Sequence, residues 1–331
     1  MKKIIFSSYL KLKSAPLAFM FALLFVAASC DTQDDVQPDS RALVSDNITA
    51  ALKNNNWSAP GNSSAKERKP TFNTLLVALA KTGLTSTVAK EELTLFAPSD
   101  EAFAALGLYP NNIGNVPNLE QILLYHAVQG ELYASDLSAG FVPTLNGAAV
   151  EVTLNGGVQV NGADVILADK RALNGVIHVI DEVLMPPTLN LVELALSFNP
   201  EFTILVAAVQ KANLVNTLAN DGPFTVFAPT NDAFVALLNE LGFPNLDAVP
   251  DETLRDILLY HVVPGRIYSS DLSTGDVTAA NEDTFYVNTS NLTITDANGR
   301  EANLVPSLLN VQATNGVVHV IDRVILPELG N

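Results

Sequence analysis

Residues 94–106 read TLFAPSDEAFAAL, and residues 225–237 read TVFAPTNDAFVAL, with the same residue at eight of thirteen positions. Each stretch opens with a β-rich run that ends at Pro98 or Pro229, because proline lacks the amide hydrogen that a central strand needs. Ser99 and Thr230 follow as helix N-caps, and apolar residues then recur at helical spacing. The stretch predicts a strand, a stop and a buried helix, in two copies.

Two further blocks repeat in the same order. ILLYHAVQGELYASDLSAG (122–140) returns as ILLYHVVPGRIYSSDLSTG (257–275), and NGVIHVIDEVLMP (174–186) returns as NGVVHVIDRVILP (315–327). The copies are offset by about 135 residues, far more than the roughly 20–50 residues of a solenoid repeat. The sequence therefore predicts a duplicated domain, and we expect each copy to own a complete core.

The periodicity of the sequence changes within each copy. Apolar residues at helical spacing predict helices at 71–84 and 201–214, before the first block, and further helices end at the Tyr-His pairs. After these, β-branched runs are separated by Asn-Gly at 146, 155, 161 and 174, and by Asn298-Gly299 in the second copy. Asn-Gly is the strongest short hairpin signal. Each copy is thus predicted to be helical first and antiparallel β second, an α+β fold, with a helix within 42–54 followed by a loop.

The three blocks resemble the signature blocks of the fasciclin domain. The resemblance implies tandem domains at 41–187 and 188–328, each a β-sandwich or wedge with helices packed at its side. It also implies a role in adhesion or extracellular binding, and no cofactor. We interpret the residues that carry the motif as structural: Phe96, Pro98, Tyr125, His126 and His178 in the first copy, and Phe227, Pro229, Tyr260, His261 and His319 in the second.

The amino-terminal residues predict export. Lysines precede an apolar run at 15–29, which is typical of a signal peptide, here residues 1–29. The following VAASC resembles the bacterial lipobox, which implies a lipid on Cys30, the one cysteine of the chain. Residues 30–40 form an acidic tether that resembles the stretch directing some lipoproteins to the cell surface. We expect a protein of the cell outer membrane or cell surface, with the periplasm as second choice.

The charge of the chain limits its partners. The formal net charge is −17 at pH 7, and cleavage of the predicted signal peptide would remove four lysines and no acidic residue. Such an anion is unsuited to nucleic acid or to anionic lipid headgroups. We therefore predict no nucleic-acid binding, and membrane contact through the lipid anchor only.

All four histidines lie in repeated blocks, so the alternative of a metal site or general base must be weighed. Asp136 with Asp271, or Asp181 with Asp322, would be the third ligands. The histidines end apolar helices or lie within apolar β runs, and this favours packing and hydrogen bonding to the backbone. No phosphate-binding loop, nucleophile elbow or zinc motif occurs. We predict no catalytic residue, no metal and no cofactor.

Three functional hypotheses remain. The leading one is a non-enzymatic, lipid-anchored envelope protein that binds an unidentified extracellular or envelope protein or glycan. The alternative is an envelope enzyme, or a small-ligand or metal-binding protein, that uses the repeated histidines. A third is an architectural spacer within a larger surface complex. The sequence does not name the ligand-binding residues, because binding surfaces lie on loops.

Overall fold

A computed structural model describes residues 46–54 and 69–328. The predicted signal peptide, Cys30 and the acidic tether lie outside these ranges, as does the predicted loop after the first helix. Among the described residues, no helix has the length and apolar character needed to cross a membrane. The two copies belong to one compact unit.

Five helices of the first copy recur in the same order in the second, counted over the described residues. In the first copy they are α1 Ile48–Asn54, α2 Asn73–Thr82, α3 Thr85–Lys90, α4 Asp100–Ala105 and α5 Leu119–Tyr125. In the second copy they are α6 Leu191–Ser197, α7 Thr203–Lys211, α8 Val215–Asn220, α9 Asn231–Leu241 and α10 Asp251–Tyr260. The helices predicted within 42–54, 71–84 and 201–214 and before the Tyr-His pairs are confirmed.

The strands follow the same order in both copies. The first copy has β1 Leu93–Pro98, β2 Ala127–Gln129, β3 Gly140–Pro143, β4 Ala149–Thr153, β5 Gln159–Val160, β6 Ala163–Ala172 and β7 Gly175–Ile180. The second has β8 Phe224–Pro229, β9 Val262–Pro264, β10 Gly275–Thr278, β11 Thr284–Asn288, β12 Thr293–Thr295, β13 Glu301–Asn303, β14 Val311–Ala313 and β15 Gly316–Ile321. The first-block strands end at Pro98 and Pro229, as predicted.

The sheet of the first copy has the order β2-β1-β7-β6-β5-β4-β3. Its neighbours are antiparallel except β1 and β7, which run parallel. In the second copy β13 and β14 replace the long β6, and a short 3-10 helix at Pro306–Leu308 lies between them. The second copy therefore has two sheets, β10-β11-β12-β13 and β14-β15-β8-β9. The predicted α+β class is confirmed.

The Asn-Gly turns lie where the sequence predicts them. The four pairs of the first copy join β3 to β4, β4 to β5, β5 to β6 and β6 to β7, and Asn298-Gly299 joins β12 to β13. Asn161 and Gly162 have φ angles of 50° and 86°. Positive φ at both central residues matches the twist of the flanking strands.

Each copy has its own hydrophobic clusters. In the first, Leu75 and Phe103 belong to a cluster between the helices and the sheet, and Phe96 and Tyr125 belong to a second cluster. Equivalent clusters fill the second copy. One small cluster, formed by Ala149, Tyr268 and Val317 with Phe141 against it, contains residues of both copies.

Candidate functional site

The first repeated block caps two helices in each copy. Ser99 Oγ accepts from the backbone nitrogen of Ala102 at 3.2 Å, and Thr230 Oγ1 accepts from Ala233 at 3.3 Å, so the predicted N-caps are confirmed. The next residue caps a different helix. Asp100 accepts hydrogen bonds from the backbone nitrogens at the start of α2, at 2.8 Å from Thr74.

Asn231 does the same in the second copy, where its Oδ1 accepts from Ile204 at the start of α7, at 2.9 Å. Partial burial would raise the pKa of Asp100, but its hydrogen bonds to the α2 terminus and to Thr71 outweigh burial and lower that pKa. The sequence pattern assigns both residues only to the helix that they begin. It carries no signal for a cap between Asp100 and Thr74, 26 residues apart, because capping patterns are local.

The histidines after α5 and α10 each join a helix to the carboxyl-terminal block. The Nδ1 atom of His126 lies 2.7 Å from the carbonyl of Ile122, and its Nε2 accepts from the backbone nitrogen of Leu184 at 2.9 Å. His261 makes the same two bonds, to Ile257 and Ile325, at 2.7 and 3.1 Å. Burial lowers the pKa of both imidazoles to about 4, so both rings are neutral at pH 7.

The histidines of the last block also contact backbone groups. His178 Nε2 lies 2.8 Å from the carbonyl of Leu132, and its Nδ1 accepts from Asp169 at 3.4 Å. His319 repeats this with Ile267 and Asn310. Each ring also lies against the phenylalanine of the first block. The centroids of Phe96 and His178 are 5.6 Å apart, and those of Phe227 and His319 are 5.5 Å apart.

All eight imidazole nitrogens therefore have a backbone partner. The four aspartates considered as third ligands are bonded to nearby backbone instead: Asp136 and Asp271 accept from Tyr133 and Tyr268, and Asp181 and Asp322 accept from Asp164 and Asn303. Within 46–54 and 69–328, no group of three His, Cys, Asp or Glu side chains could hold a metal ion. This arrangement suits a scaffold, since no ring nitrogen faces a ligand.

Two other repeated residues brace the fold. Asn174 donates to the carbonyls of Val88 and Glu91 and accepts from Ile48, and Asn315 repeats the pattern in the second copy. Tyr125 donates to the carbonyl of Ala149 at 2.8 Å, and Tyr260 donates to Thr284 at 2.6 Å. The sequence identifies the asparagines only as turn residues, because nothing in the local pattern shows partners so distant along the chain.

The two copies contact each other through side chains to which the sequence assigns no binding role. The amide of Gln312 pairs with the backbone of Ala149 in both directions, at 3.0 Å to its nitrogen and 2.8 Å to its carbonyl oxygen. The hydroxyl of Tyr268 accepts from the same nitrogen and donates to Gln312. Its ring stacks on Phe141 with centroids 4.4 Å apart and planes 5° apart. These bonds and the ring stacking form a specific contact between the two copies.

The first copy carries the equivalent of this contact face. Tyr133 corresponds to Tyr268 in the second repeated block, and Arg171 corresponds to Gln312, because the two pair with equivalent valines of the last block's strand. Arg171 donates to the Tyr133 hydroxyl at 3.0 Å and lies over its ring, and the hydroxyl donates to Glu131 at 3.0 Å. We call Glu131, Tyr133 and Arg171 the Tyr133 face. Glu131 and Arg171 are exposed and Tyr133 is half-buried.

Comparison with known proteins places these copies in context. The protein sll1483 of Synechocystis sp. is 41% identical over 155 residues, which are 46% of this chain and 81% of that protein. Transforming growth factor-beta-induced protein ig-h3 of Sus scrofa is 32% identical over 249 residues, 71% of this chain. Human periostin is 31% identical over 72% of this chain. The chain spans only 35% of ig-h3 and 29% of periostin.

Among solved structures, the FAS1 domain pair from the insect cell adhesion molecule Fasciclin I is similar, at 22% identity and a TM-score of 0.35, over 78% of this chain and 96% of that one. The model of the fasciclin domain matches twice, at residues 70–186 and 200–327. These matches cover most of the chain, and each contains the three repeated blocks whose side chains hold one copy together. The chain therefore belongs to the fasciclin family, with two tandem fasciclin domains.

Proposed function

We propose that the protein is a non-enzymatic adhesion or extracellular binding protein of the bacterial envelope. Membership of the fasciclin family supports this role, since fasciclin domains are typical of adhesion or extracellular proteins such as ig-h3 and periostin, which match 71% and 72% of this chain. The histidine contacts argue against the alternative of a catalytic or metal site built on the repeated histidines. Every imidazole nitrogen is engaged by the backbone, so none is available to take a substrate proton or a metal ion.

The observation that carries the proposal is the Tyr133 face. Its counterpart in the second copy, Tyr268 with Gln312, is already used to bind protein, namely the β4 strand of the first copy. In the first copy the same position keeps the aromatic ring, with Arg171 in place of Gln312 and Glu131 in place of Arg266. Tyrosine and arginine are among the residues most enriched at binding hot spots. The partner is an extracellular or envelope protein or a glycan, held at this face.

The test is a binding screen of the mature ectodomain, residues 31–331, against protein and glycan panels. For any partner found, Tyr133→Ala and Arg171→Ala should each weaken binding about tenfold or more, because truncation of a hot-spot residue has an effect of that size. Tyr286→Ala is the matched control, since Tyr286 is an exposed tyrosine of the second copy. The proposal is contradicted if Tyr286→Ala weakens binding as much as Tyr133→Ala and Arg171→Ala do. It is also contradicted if the ectodomain binds nothing in the screen.

Anchoring is the second part of the proposal. Cys30 would carry the lipid and residues 30–40 would hold the two domains away from the outer membrane or cell surface. Intact mass spectrometry should find the chain beginning at Cys30 with acyl chains attached, and Cys30→Ser should release it from the membrane fraction. Protease treatment of whole cells separates a surface location from the periplasm. Cross-linking on intact cells that captures only neighbouring envelope proteins would indicate a spacer instead.

A further inference from the structure

The second copy contains a cavity of about 200 Å³. Helices α6, α7 and α8 form one side, and strands β8, β9, β14 and β15 form the other. The cavity therefore lies between the helical layer and the sheet, where a well-packed domain has few voids larger than a water molecule.

The lining is apolar. Of the residues that border the cavity, only Gln210 and His261 have polar side chains. Both nitrogens of His261 are already bonded, to Ile257 and Ile325, so the ring offers no free polar atom. Water needs two to four polar partners to occupy a cavity, and an apolar cavity of about 150 Å³ in another protein stays dry and binds benzene. The lining selects a hydrocarbon group.

The solvent-exposed members of the lining mark the mouth. Leu196 of α6 is 53% exposed and Gln210 of α7 is also exposed, whereas Leu205 and Phe227 within the lining are buried. A molecule entering between α6 and α7 would thus leave its polar end beside the Gln210 amide. That amide is a neutral donor and acceptor, which suits a hydroxyl or an ester.

The first copy shows how the cavity can be filled. Val206, Val226 and Val318 border the cavity, and the first copy has Leu76, Leu95 and Ile177 at these positions. Each replacement adds one methylene or methyl group at the same backbone position. Not every lining position is larger in the first copy, since Leu194 of the second copy corresponds to the smaller Ala51 of the first. Replacing the three valines with the residues of the first copy should therefore fill the cavity.

We propose that this cavity is a binding site for a small hydrocarbon group, a single ring or a short chain, with a neutral polar head at Gln210. Two sources have this chemistry: a free apolar molecule, and the end of a lipid chain from the membrane. The site is separate from the Tyr133 face and lies in the other copy, so it adds a second binding activity to the protein.

The test uses the mature ectodomain with toluene and n-octanol as probes. Each should raise the melting temperature of the wild type by roughly 2–5 °C at ten times its dissociation constant. Methyl NMR shifts should be confined to residues of the lining. The triple variant Val206→Leu, Val226→Leu, Val318→Ile should lose both responses, and Val235→Leu, an exposed valine outside the lining, should keep them.

The two sources are separated by the probes. A response to toluene alone indicates a free ring-shaped ligand, whereas tighter binding of n-octanol with a shift of the Gln210 side-chain amide indicates a chain with a head group, and both support the site. If the triple variant does not fold, the single variant Val318→Ile should weaken binding several-fold. No shift in the wild type, or an equal response of wild type and filled variants, overturns the proposal.

Discussion

At the scale of single residues, each histidine is held in one tautomer. Nε2 of His126 and His261 accepts a backbone hydrogen bond, so the proton must be on Nδ1, which donates to the carbonyl four residues earlier. For His178 and His319 the roles are reversed, and the proton is on Nε2. The fold thus requires the neutral imidazole at all four positions.

We predict that nitrogen-detected NMR of the histidine rings shows two Nδ1–H and two Nε2–H tautomers at pH 7. The two forms should be assigned as above, because a protonated nitrogen cannot accept from a backbone amide. A ring that exchanges between tautomers, or that is charged at pH 7, would contradict the scaffold interpretation. Adding Zn²⁺ should leave these spectra unchanged.

The same burial makes stability depend on pH. The pKa of His126 and His261 is about 4 in the folded chain and about 6.5 when unfolded. Between these values only the unfolded chain takes up the protons, so the free energy of unfolding falls as pH drops from 6.5 to 4. The loss should be roughly 3 kcal/mol per ring at pH 4. Denaturant titrations at several pH values measure it.

The control for this prediction removes one ring. His261→Gln should lower stability at pH 7, because one of the two bonds to Ile257 and Ile325 is lost, and it should flatten the slope between pH 6.5 and 4. Asp100, whose pKa is lowered, cannot account for this window: its stabilisation is present above its unfolded pKa of 3.8 and is lost below it. An unchanged slope in the variant would contradict the contribution assigned to His261, since His126 keeps its own.

At the scale of elements, the parallel pairing of β1 with β7 depends on one glycine. Gly175 pairs with Leu93 and has a φ angle of 143°, and a Cβ there would lie 1.8 Å from the Leu93 carbonyl oxygen. The two strands could not keep their separation with any side chain at this position. This explains why the last repeated block begins with Asn-Gly in both copies.

We predict that Gly175→Ala costs about 3 kcal/mol or more, from the backbone clash added to the strain of a positive φ. Gly147→Ala is the matched control, since Gly147 has a φ of 94° but nothing within 4 Å of the added Cβ, and it should cost only about 1 kcal/mol. Urea unfolding of both variants measures the difference. Equal losses of stability in the two variants would mean that only the strain of the positive φ matters, and that β1 and β7 move apart to accommodate the added Cβ.

The elements also show what the sequence can predict. Helices, Asn-Gly turns and the first-block strand are predicted correctly because their signals lie within a few residues, as with the Ser99 cap. The parallel β1–β7 pair, the cap from Asp100 and the brace by Asn174 escape prediction because their partners lie 26 to 126 residues away. The repeats indicate that these residues matter, but not which contacts they make.

At the scale of the molecule, the two copies are joined by a small and specific contact. The sequence predicts a complete core for each copy, and each copy does have its own hydrophobic clusters. The contact of Tyr268 and Gln312 with Ala149 and Phe141 adds to these, and Tyr268 is only 3% exposed. The copies share the tyrosine but differ beside it, with Glu131 and Arg171 in the first copy and Arg266 and Gln312 in the second. The sequence of one copy does not reveal which of these faces is covered.

The last prediction concerns residues 188–331 made without the first copy. This fragment should fold, because its clusters are its own, and its free energy of unfolding should be about 2–4 kcal/mol lower, from the lost hydrogen bonds and the lost Phe141 stacking. In the whole chain, Gln312→Ala should lower the stability of the second copy. In the fragment it should have little effect, because the partner Ala149 is absent.

Calorimetry completes this cycle with four proteins: the whole chain and the fragment, each with and without the Gln312→Ala substitution. A difference between the two effects of the substitution measures the coupling between copies. A fragment that does not fold would refute the expected division at residue 188, and an equal effect in both backgrounds would refute the contact. Either result would also argue against the Tyr133 face as a binding surface, because that proposal depends on the contact of Tyr268 and Gln312 with the first copy.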